Sequence, residues 1–347
     1  MKHIVVAGNP GKFYGWPANP GIWSWGNEIL VGFTEGSHKE SKTSLHYIDG
    51  EMPTRLVLAR SLDGGESWSI TSPDSIQSHN FAKNPPSPCP GGIDFSTPDT
   101  ILLFSRSGEA PGSDSWFFDS PDRGHTWRGP WRVPKFGYIS MLARTDYMVI
   151  DKDTCGVFLT HSASNGYEGV PFYALLKDGG AKWEFISDIG PEPEDGFRIM
   201  PASVILDDGM YLVTMRTSNS PTKEKLRDCM IECWRGDNEG RGWTHLCDIA
   251  KGFSGSNGNP PAMAKLPDGR VVLVYGWREK PFSMRACVTS DGGTTWSNPI
   301  MLRDDGGCGD IGYPRLVVRP DGVAVAVYYY TTDIMSERFI GATLFKL

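Results

Sequence analysis

One eight-residue phrase appears three times in this chain. It reads SLDGGESW at residues 61–68, SPDRGHTW at 120–127 and TSDGGTTW at 289–296. All three fit Ser/Thr-x-Asp-x-Gly-x-Ser/Thr-Trp, a pattern that average composition yields on the order of once per million positions. Two degraded copies lie between them. LLKDGGAKW keeps Asp178, Gly180 and Trp183, and RGDNEGRGW keeps Asp237 and Trp243 with one residue inserted. The aspartates Asp63, Asp122, Asp178, Asp237 and Asp291 follow one another at nearly even intervals. Self-similarity at a fixed period is the mark of a repeat architecture. This period fits about six times into 347 residues, so six structural repeats are expected, the last without the phrase.

The chemistry of the phrase is that of a turn. An aspartate side chain accepts hydrogen bonds from backbone N–H groups two residues on, and glycine supplies positive φ. The tryptophan then buries a large ring where the chain re-enters a sheet. Carboxylates on different repeats cannot share one ion, so no metal is expected. Around each phrase the pattern is strand, turn, strand. PAMAKLPDGRVVLVYGW reads as two strands about a PDG turn, and FSMRACVTSDGGTTWSNPIML as two more about the Asp turn. Four antiparallel strands per repeat, repeated six times, imply an all-β fold, a six-bladed β-propeller occupying residues 1–347 as a single domain. The last repeat offers only three strands, in YPRLVVRPDGVAVAVYYY and RFIGATLF. The fourth is expected from KHIVVAG at the N-terminus, which would close the ring.

Composition narrows the function. The formal charge is −7, which argues against non-specific nucleic-acid binding. No apolar run approaches the roughly 18 residues of a membrane span. The opening MKHIVVAGNPG has too short an apolar stretch for a signal-peptide core. Seven cysteines without CxxC spacing read as free thiols, favouring the cell interior.

The Asp turns join the third and fourth strands, so they lie at one end of the blades. The chemistry is expected at the other. There the first strands begin with proline, in ANPG, NPPSP, IMPAS, GNPPA and GYPR. The second strands end there on Glu35, Arg106, His161, Arg216, Arg278 and Tyr329 or Tyr330.

At these residues the chain resembles the sialidase (neuraminidase) superfamily, six-bladed propellers with Asp boxes on the non-catalytic face. IDGEMPTRLVLARSLDGGESW resembles the segment in which the acid/base aspartate precedes the first box, a role that falls on Asp49, upstream of Asp63. GYPRLVVRPDGVAVAVYY resembles the last-blade segment that opens with the nucleophile, which implies Tyr313. ASVILDDGMYLVTMR resembles the segment ending in one arginine of the carboxylate-binding triad, Arg216. Arg278, in VYGWREKPFSMRACVTSDGG, is the implied second. The family's first arginine is missing from PANPGIW; Arg315 or Arg198 is expected in its place. The glutamate that activates the tyrosine is replaced by Met200, with Glu168, Glu194, Asp195 and Asp310 as candidates for its task.

The resemblance implies a retaining exo-α-sialidase-like hydrolase without a cofactor. It would release sialic acid or a related 2-keto sugar acid from a sialylated or acidic glycan. A neutral tyrosine suits such a substrate, whose anomeric carbon carries a carboxylate that would repel an anionic nucleophile. Forming phenolate at pH 7 costs about 4 kcal/mol unaided, so a base must assist. Arginines match the substrate carboxylate bidentately. Two alternatives stay open. One is a polysaccharide lyase acting on a uronate-containing glycan with His46, His161 and Tyr313. The other is a non-catalytic glycan-binding propeller.

Overall fold

The computed structural model describes residues 1–41, 46–78, 81, 83–219, 229–252 and 258–347. The strands are β1 (Lys2–Ala7), β2 (Lys12–Gly15), β3 (Ile22–Trp25), β4 (Glu28–Ser37), β5 (Arg55–Ser61) and β6 (Ser69–Thr71). Then come β7 (Ile101–Arg106), β8 (Ser115–Ser120), β9 (Arg128–Val133), β10 (Met141–Leu142), β11 (Tyr147–Val149), β12 (Cys155–Ser162), β13 (Glu168–Lys177) and β14 (Lys182–Asp188). They continue with β15 (Phe197–Ile205), β16 (Tyr211–Ser218), β17 (Cys229–Gly236), β18 (Trp243–Ile249), β19 (Ala262–Lys265), β20 (Val271–Trp277), β21 (Ser283–Thr289) and β22 (Ile300–Arg303). The last three are β23 (Gly312–Val318), β24 (Ala324–Tyr330) and β25 (Phe339–Phe345). They form six antiparallel sheets, the blades of a six-bladed β-propeller.

The chain divides into two compact units. Residues Met1–Pro73 and Ala250–Leu347 form the first, and Asp74–Ile249 the second. The first holds the first, fifth and sixth sheets. As expected, the N-terminal strand completes the sixth: its order is β1-β25-β24-β23, with Lys2 opposite Leu344 and Ile4 opposite Ala342. The core of this unit gathers alternate residues of the middle strands, among them Val31, Phe33, Val57, Val325, Val327 and Tyr329. The second unit holds the other three sheets; the second and third pack around Phe104, Phe117, Val157, Phe172 and Trp183, and the third and fourth around Phe158, Tyr173, Tyr211, Val213 and Trp234.

The expected four strands per blade hold for the fourth, fifth and sixth sheets. The second has three strands among the described residues, in the order β7-β8-β9. NPPSP does not begin an inner strand there; Ser87 bridges Trp131 in parallel on the outer strand. The edge of β7 is occupied instead by side chains. The Leu102 amide donates to the Tyr147 hydroxyl and the Phe104 amide to Thr145 Oγ1, at 3.2 and 2.9 Å. In the first and third sheets the inner strand is broken in two. β2 and β3 both pair β4, and β10 and β11 both pair β12.

The Asp turns are built as their chemistry demands. Asp63 Oδ1 accepts from the Ser67 amide at 2.9 Å, and Gly65 N–H donates to Ser61 Oγ at 2.8 Å. Asp122 likewise accepts from the Thr126 amide and Asp291 from the Thr295 amide, while Gly124 N–H donates to Ser120 Oγ and Gly293 N–H to Thr289 Oγ1. Each turn leads into the outermost strand of its sheet: β5 to β6, β8 to β9 and β21 to β22. In the degraded copies, Asp237 keeps the backbone amides of Arg241 and Gly242, whereas Asp178 pairs with Lys182 at 2.6 Å. All seven cysteines are free thiols.

Candidate active site

The inner strands are interrupted in a recurring way. In the sixth sheet the register slips between Gly312 and Arg315, so that Tyr313 and Pro314 bulge out. In the fourth it slips between Ile199 and Ala202, around Met200 and Pro201. In the first the break follows β2 at Trp16 and Pro17. Each residue before the proline has positive φ: 48° at Tyr313, 57° at Met200 and 59° at Trp16. This region is strained for any non-glycine residue, and a following proline disfavours it further. Such strain, worth about 1–3 kcal/mol per residue, persists where surrounding contacts over-determine it. The registers make Met200 the counterpart of Tyr313, and Arg216, opposite Ile199, the counterpart of Tyr329, opposite Gly312.

In the first unit, contacts fix Tyr313 from several sides. Its amide donates to Asn259 Oδ1 at 3.0 Å, and its carbonyl accepts from the Ala18 amide at 3.1 Å. The Arg278 guanidinium lies 5.5 Å above its ring. Arg278 also donates to the Tyr329 hydroxyl at 3.2 Å and to the Ile311 carbonyl. The rings of Tyr313 and Tyr329 are 5.8 Å apart.

Behind them lies Asp310, 1% exposed. Its carboxylate accepts from Tyr329 at 2.6 Å and from Arg338 Nε at 2.8 Å, and it pairs with His46 Nδ1 at 2.7 Å. Burial pushes this carboxyl up, but His46, Arg338 and Tyr329 outweigh burial and hold it below its ordinary value. Burial and the adjacent Asp310 charge drive the Tyr329 phenol well above its ordinary value. Of the four candidate bases, Asp310 is the one whose hydrogen-bond partner packs on Tyr313. Arg315 donates to the Ala18 carbonyl, beside the same bulge.

Asp49 lies between β4 and β5. It pairs with Lys39 at 3.1 Å and accepts from the Glu51 amide at 3.1 Å. The Glu51 amide and then Lys39 hold its carboxyl below the ordinary carboxylate range. A general acid needs the opposite shift, so Asp49 is ionised in this arrangement and would have to leave Lys39 to act.

In the second unit, Arg216 is buried and lies 5.3 Å over the Phe197 ring. Arg198 is committed elsewhere: Nε donates to Glu232 at 2.6 Å and Nη1 to the Pro191 carbonyl. Glu168 is held by both Nη atoms of Arg144. Glu194 and Asp195 are exposed. His161 Nε2 lies 2.8 Å from Asp188, and its ring stacks on Tyr138 at 3.5 Å.

Trp16, Asn259, Arg144, Glu109 and Arg338 were not singled out by sequence. For Trp16 the signal existed, since Trp16-Pro17 repeats the X-Pro of Met200 and Tyr313. Arg144 emerges where β10 and β11 break, which no motif marks.

The sequence profile of the BNR repeat-like domain matches residues 49–327. No curated protein sequence matches significantly. Among solved structures, a protein of unknown function from Dyadobacter fermentans superposes with TM-score 0.75 at 19% identity, over 99% of this chain and 97% of that one. An alpha-L-arabinanase from Penicillium chrysogenum does so with TM-score 0.64 at 12% identity, over 100% and 98%. The Hadza microbial sialidase Hz136 gives TM-score 0.64 at 16% identity, over 96% of this chain and 66% of that one. The profile match spans most of the sequence, and by it the chain belongs to the BNR repeat-like domain family.

Proposed function

We propose that the protein is a retaining glycoside hydrolase that releases a terminal sialic acid or related 2-keto sugar acid from a glycan. The observation that carries this reading is Tyr313, held at positive φ beneath Arg278 and packed on the tyrosine that binds Asp310. Tyr313 Oη attacks the anomeric carbon, and the bond to the leaving oxygen breaks. The leaving oxygen takes a proton from Asp49 once that carboxyl is protonated and free of Lys39. Asp310 takes the phenol proton through Tyr329. Tyr329 accepts one proton as it gives another, so it never carries the charge that burial forbids. Water, deprotonated by Asp49, then attacks the anomeric carbon and breaks the tyrosyl–sugar bond, and the proton held on Asp310 returns through Tyr329 to the departing Tyr313 oxygen, which restores the enzyme. Arg278, with Arg315 beside it, would meet the substrate carboxylate. Arg216 keeps its own carboxylate-binding role as a separate expectation.

The test uses fluorogenic sialosides. Wild-type protein should release sialic acid with retained anomeric configuration. Tyr313→Phe should fold normally and lose roughly a thousandfold or more in turnover. A fluorinated sialic acid should label Tyr313, read by mass spectrometry. Full activity in Tyr313→Phe, or label on another residue, would remove this mechanism.

A second reading, eliminative cleavage of a uronate-containing glycan, is favoured by the His161–Asp188 pair stacked on Tyr138. Histidine and tyrosine side by side suit the taking and giving of a proton. An unsaturated, ultraviolet-absorbing product would identify it.

A further inference from the structure

Two cysteines meet across a strand pair in the fourth sheet. Strands β17 and β18 run antiparallel, and their register sets Cys233 directly opposite Cys247. Opposed residues on antiparallel strands lie about 4.5–5.5 Å apart at Cα and project from the same face of the sheet. A disulfide spans about 4.4–6.8 Å between Cα atoms. The register therefore places two free thiols where one bond can join them. Among the described residues no other cysteine faces a cysteine in a strand register. Cys155 faces Leu176 and Val149, Cys287 faces Leu273, and Cys229 faces Ser218. Cys229 also lies beyond the end of β18, whose last pairing is Ile249 with Ile231.

Local structure favours closure of this pair. The register slips between Cys233 and Trp234, with Leu246 as the extra residue. Such a bulge bends its strand and interrupts the ladder, so the two residues can draw together while the rest of the sheet stays in place. Accessibility is divided between them. Cys233 is fully buried, whereas Cys247 is partly exposed on the outermost strand. An oxidant in solution reaches Cys247 first, with Cys233 behind it as the resolving thiol. The turn into β18 is also a degraded copy. Asp237 keeps its backbone amides. Arg235, however, stands where Ser61, Ser120 and Thr289 clamp their own turns by accepting from a glycine amide. A covalent tie between β17 and β18 would supply a clamp that this turn lacks.

We propose that Cys233 and Cys247 are a reversible redox modification site, closed to a disulfide by a low-molecular-weight disulfide such as oxidised glutathione, and that closure fastens β18 to β17. The Cys247 thiolate attacks one sulfur of oxidised glutathione. That S–S bond breaks, a mixed disulfide forms, and one glutathione leaves and takes up the proton that Cys247 lost. The Cys233 thiolate then attacks the Cys247 sulfur and expels the second glutathione, which takes up the other proton. The two cysteines lose two electrons and two protons, and one glutathione disulfide becomes two thiols. The bond closes a loop of about 15 residues, long enough to restrict the unfolded chain. None of this depends on the sugar chemistry proposed above.

The test equilibrates the full chain in glutathione buffers from reducing to oxidising, alkylates the remaining thiols under denaturing conditions and reads tryptic peptides by mass spectrometry. A peptide linked through Cys233 and Cys247 should grow with the oxidised fraction and vanish with dithiothreitol. The other five cysteines should stay alkylated. Fragmentation should assign the link to Cys233 rather than Cys229, which shares its tryptic peptide. Cys233→Ser should accumulate the mixed glutathione disulfide on Cys247, which wild type passes through only transiently. Oxidised wild type should melt several degrees above the reduced chain, a shift absent from Cys247→Ser. The linked peptide is read in wild type, so the outcome does not depend on a variant that folds. No linked peptide at the most oxidising ratio, a link running to Cys229, or a melting temperature no higher after oxidation would each overturn the proposal.

Discussion

Asp310 and Arg338 show how much one residue pair can bear. Arg338 is 2% exposed and Asp310 1%; Arg338 Nε donates to one carboxylate oxygen of Asp310 at 2.8 Å, while His46 and Tyr329 meet the other. Removing one partner of such a pair typically destabilises by about 3–5 kcal/mol, because the other charge remains buried. Asp310→Ala should therefore lower unfolding free energy by about that amount, measured by denaturant titration. The pair also illustrates what sequence leaves hidden. Nothing in SERFIGAT marks Arg338, because its partner lies two strands upstream, before β23, and its burial follows from strand pairing. Likewise the φ of Tyr313 cannot be read from GYPR; the same residues would be unstrained without the slip between β23 and β24. The identity of Tyr313 as a candidate was legible, whereas the contacts of Arg278, Tyr329 and Asp310 around it needed coordinates.

At the scale of elements, the Asp turn was legible in kind, since turn chemistry is local, although the amides that donate to Asp63 lie three and four residues on rather than two. Its pH consequence follows. Hydrogen bonds from Thr295, first its hydroxyl and then its amide, pull Asp291 down to about 2, and Asp63 and Asp122 are lowered as well. An unfolded aspartate titrates near 3.9. Depressed carboxylates contribute stability that is full above that value and lost as pH falls toward their folded values. Asp291→Asn should thus lower the melting temperature near pH 6 and leave it almost unchanged near pH 2, which thermal melts at the two pH values would check. The inner strands were less legible. The proline at each start was visible, but a proline also suits an outer segment, as at Ser87, and side chains such as Thr145 can stand in for a strand along an edge. The pairing of β1 was legible, because the sixth repeat was one strand short. Deleting residues 1–8 should strip β25 of a row of hydrogen bonds worth about 1 kcal/mol each and markedly lower the melting temperature; an unaltered melt would contradict the pairing.

At the scale of the whole molecule, the even spacing of the five aspartates sufficed for the number of blades, because their period fits about six times into 347 residues. It carried no information on how the sheets group into compact units. One unit is continuous, Asp74–Ile249, while the other draws on both flanks of the sequence. The sixth sheet sets Lys2 against Leu344. During synthesis these two facts impose an order. The ribosome releases everything the continuous unit needs while β23, β24 and β25 have yet to be made. Strand β1, made long before β25, must wait unpaired for it, and such distant pairings form slowly. Nascent chains stalled near residue 300 should therefore show protease protection over 74–249 and open cleavage within 1–73. Protection of both regions at that length would mean that the early strands find another partner first.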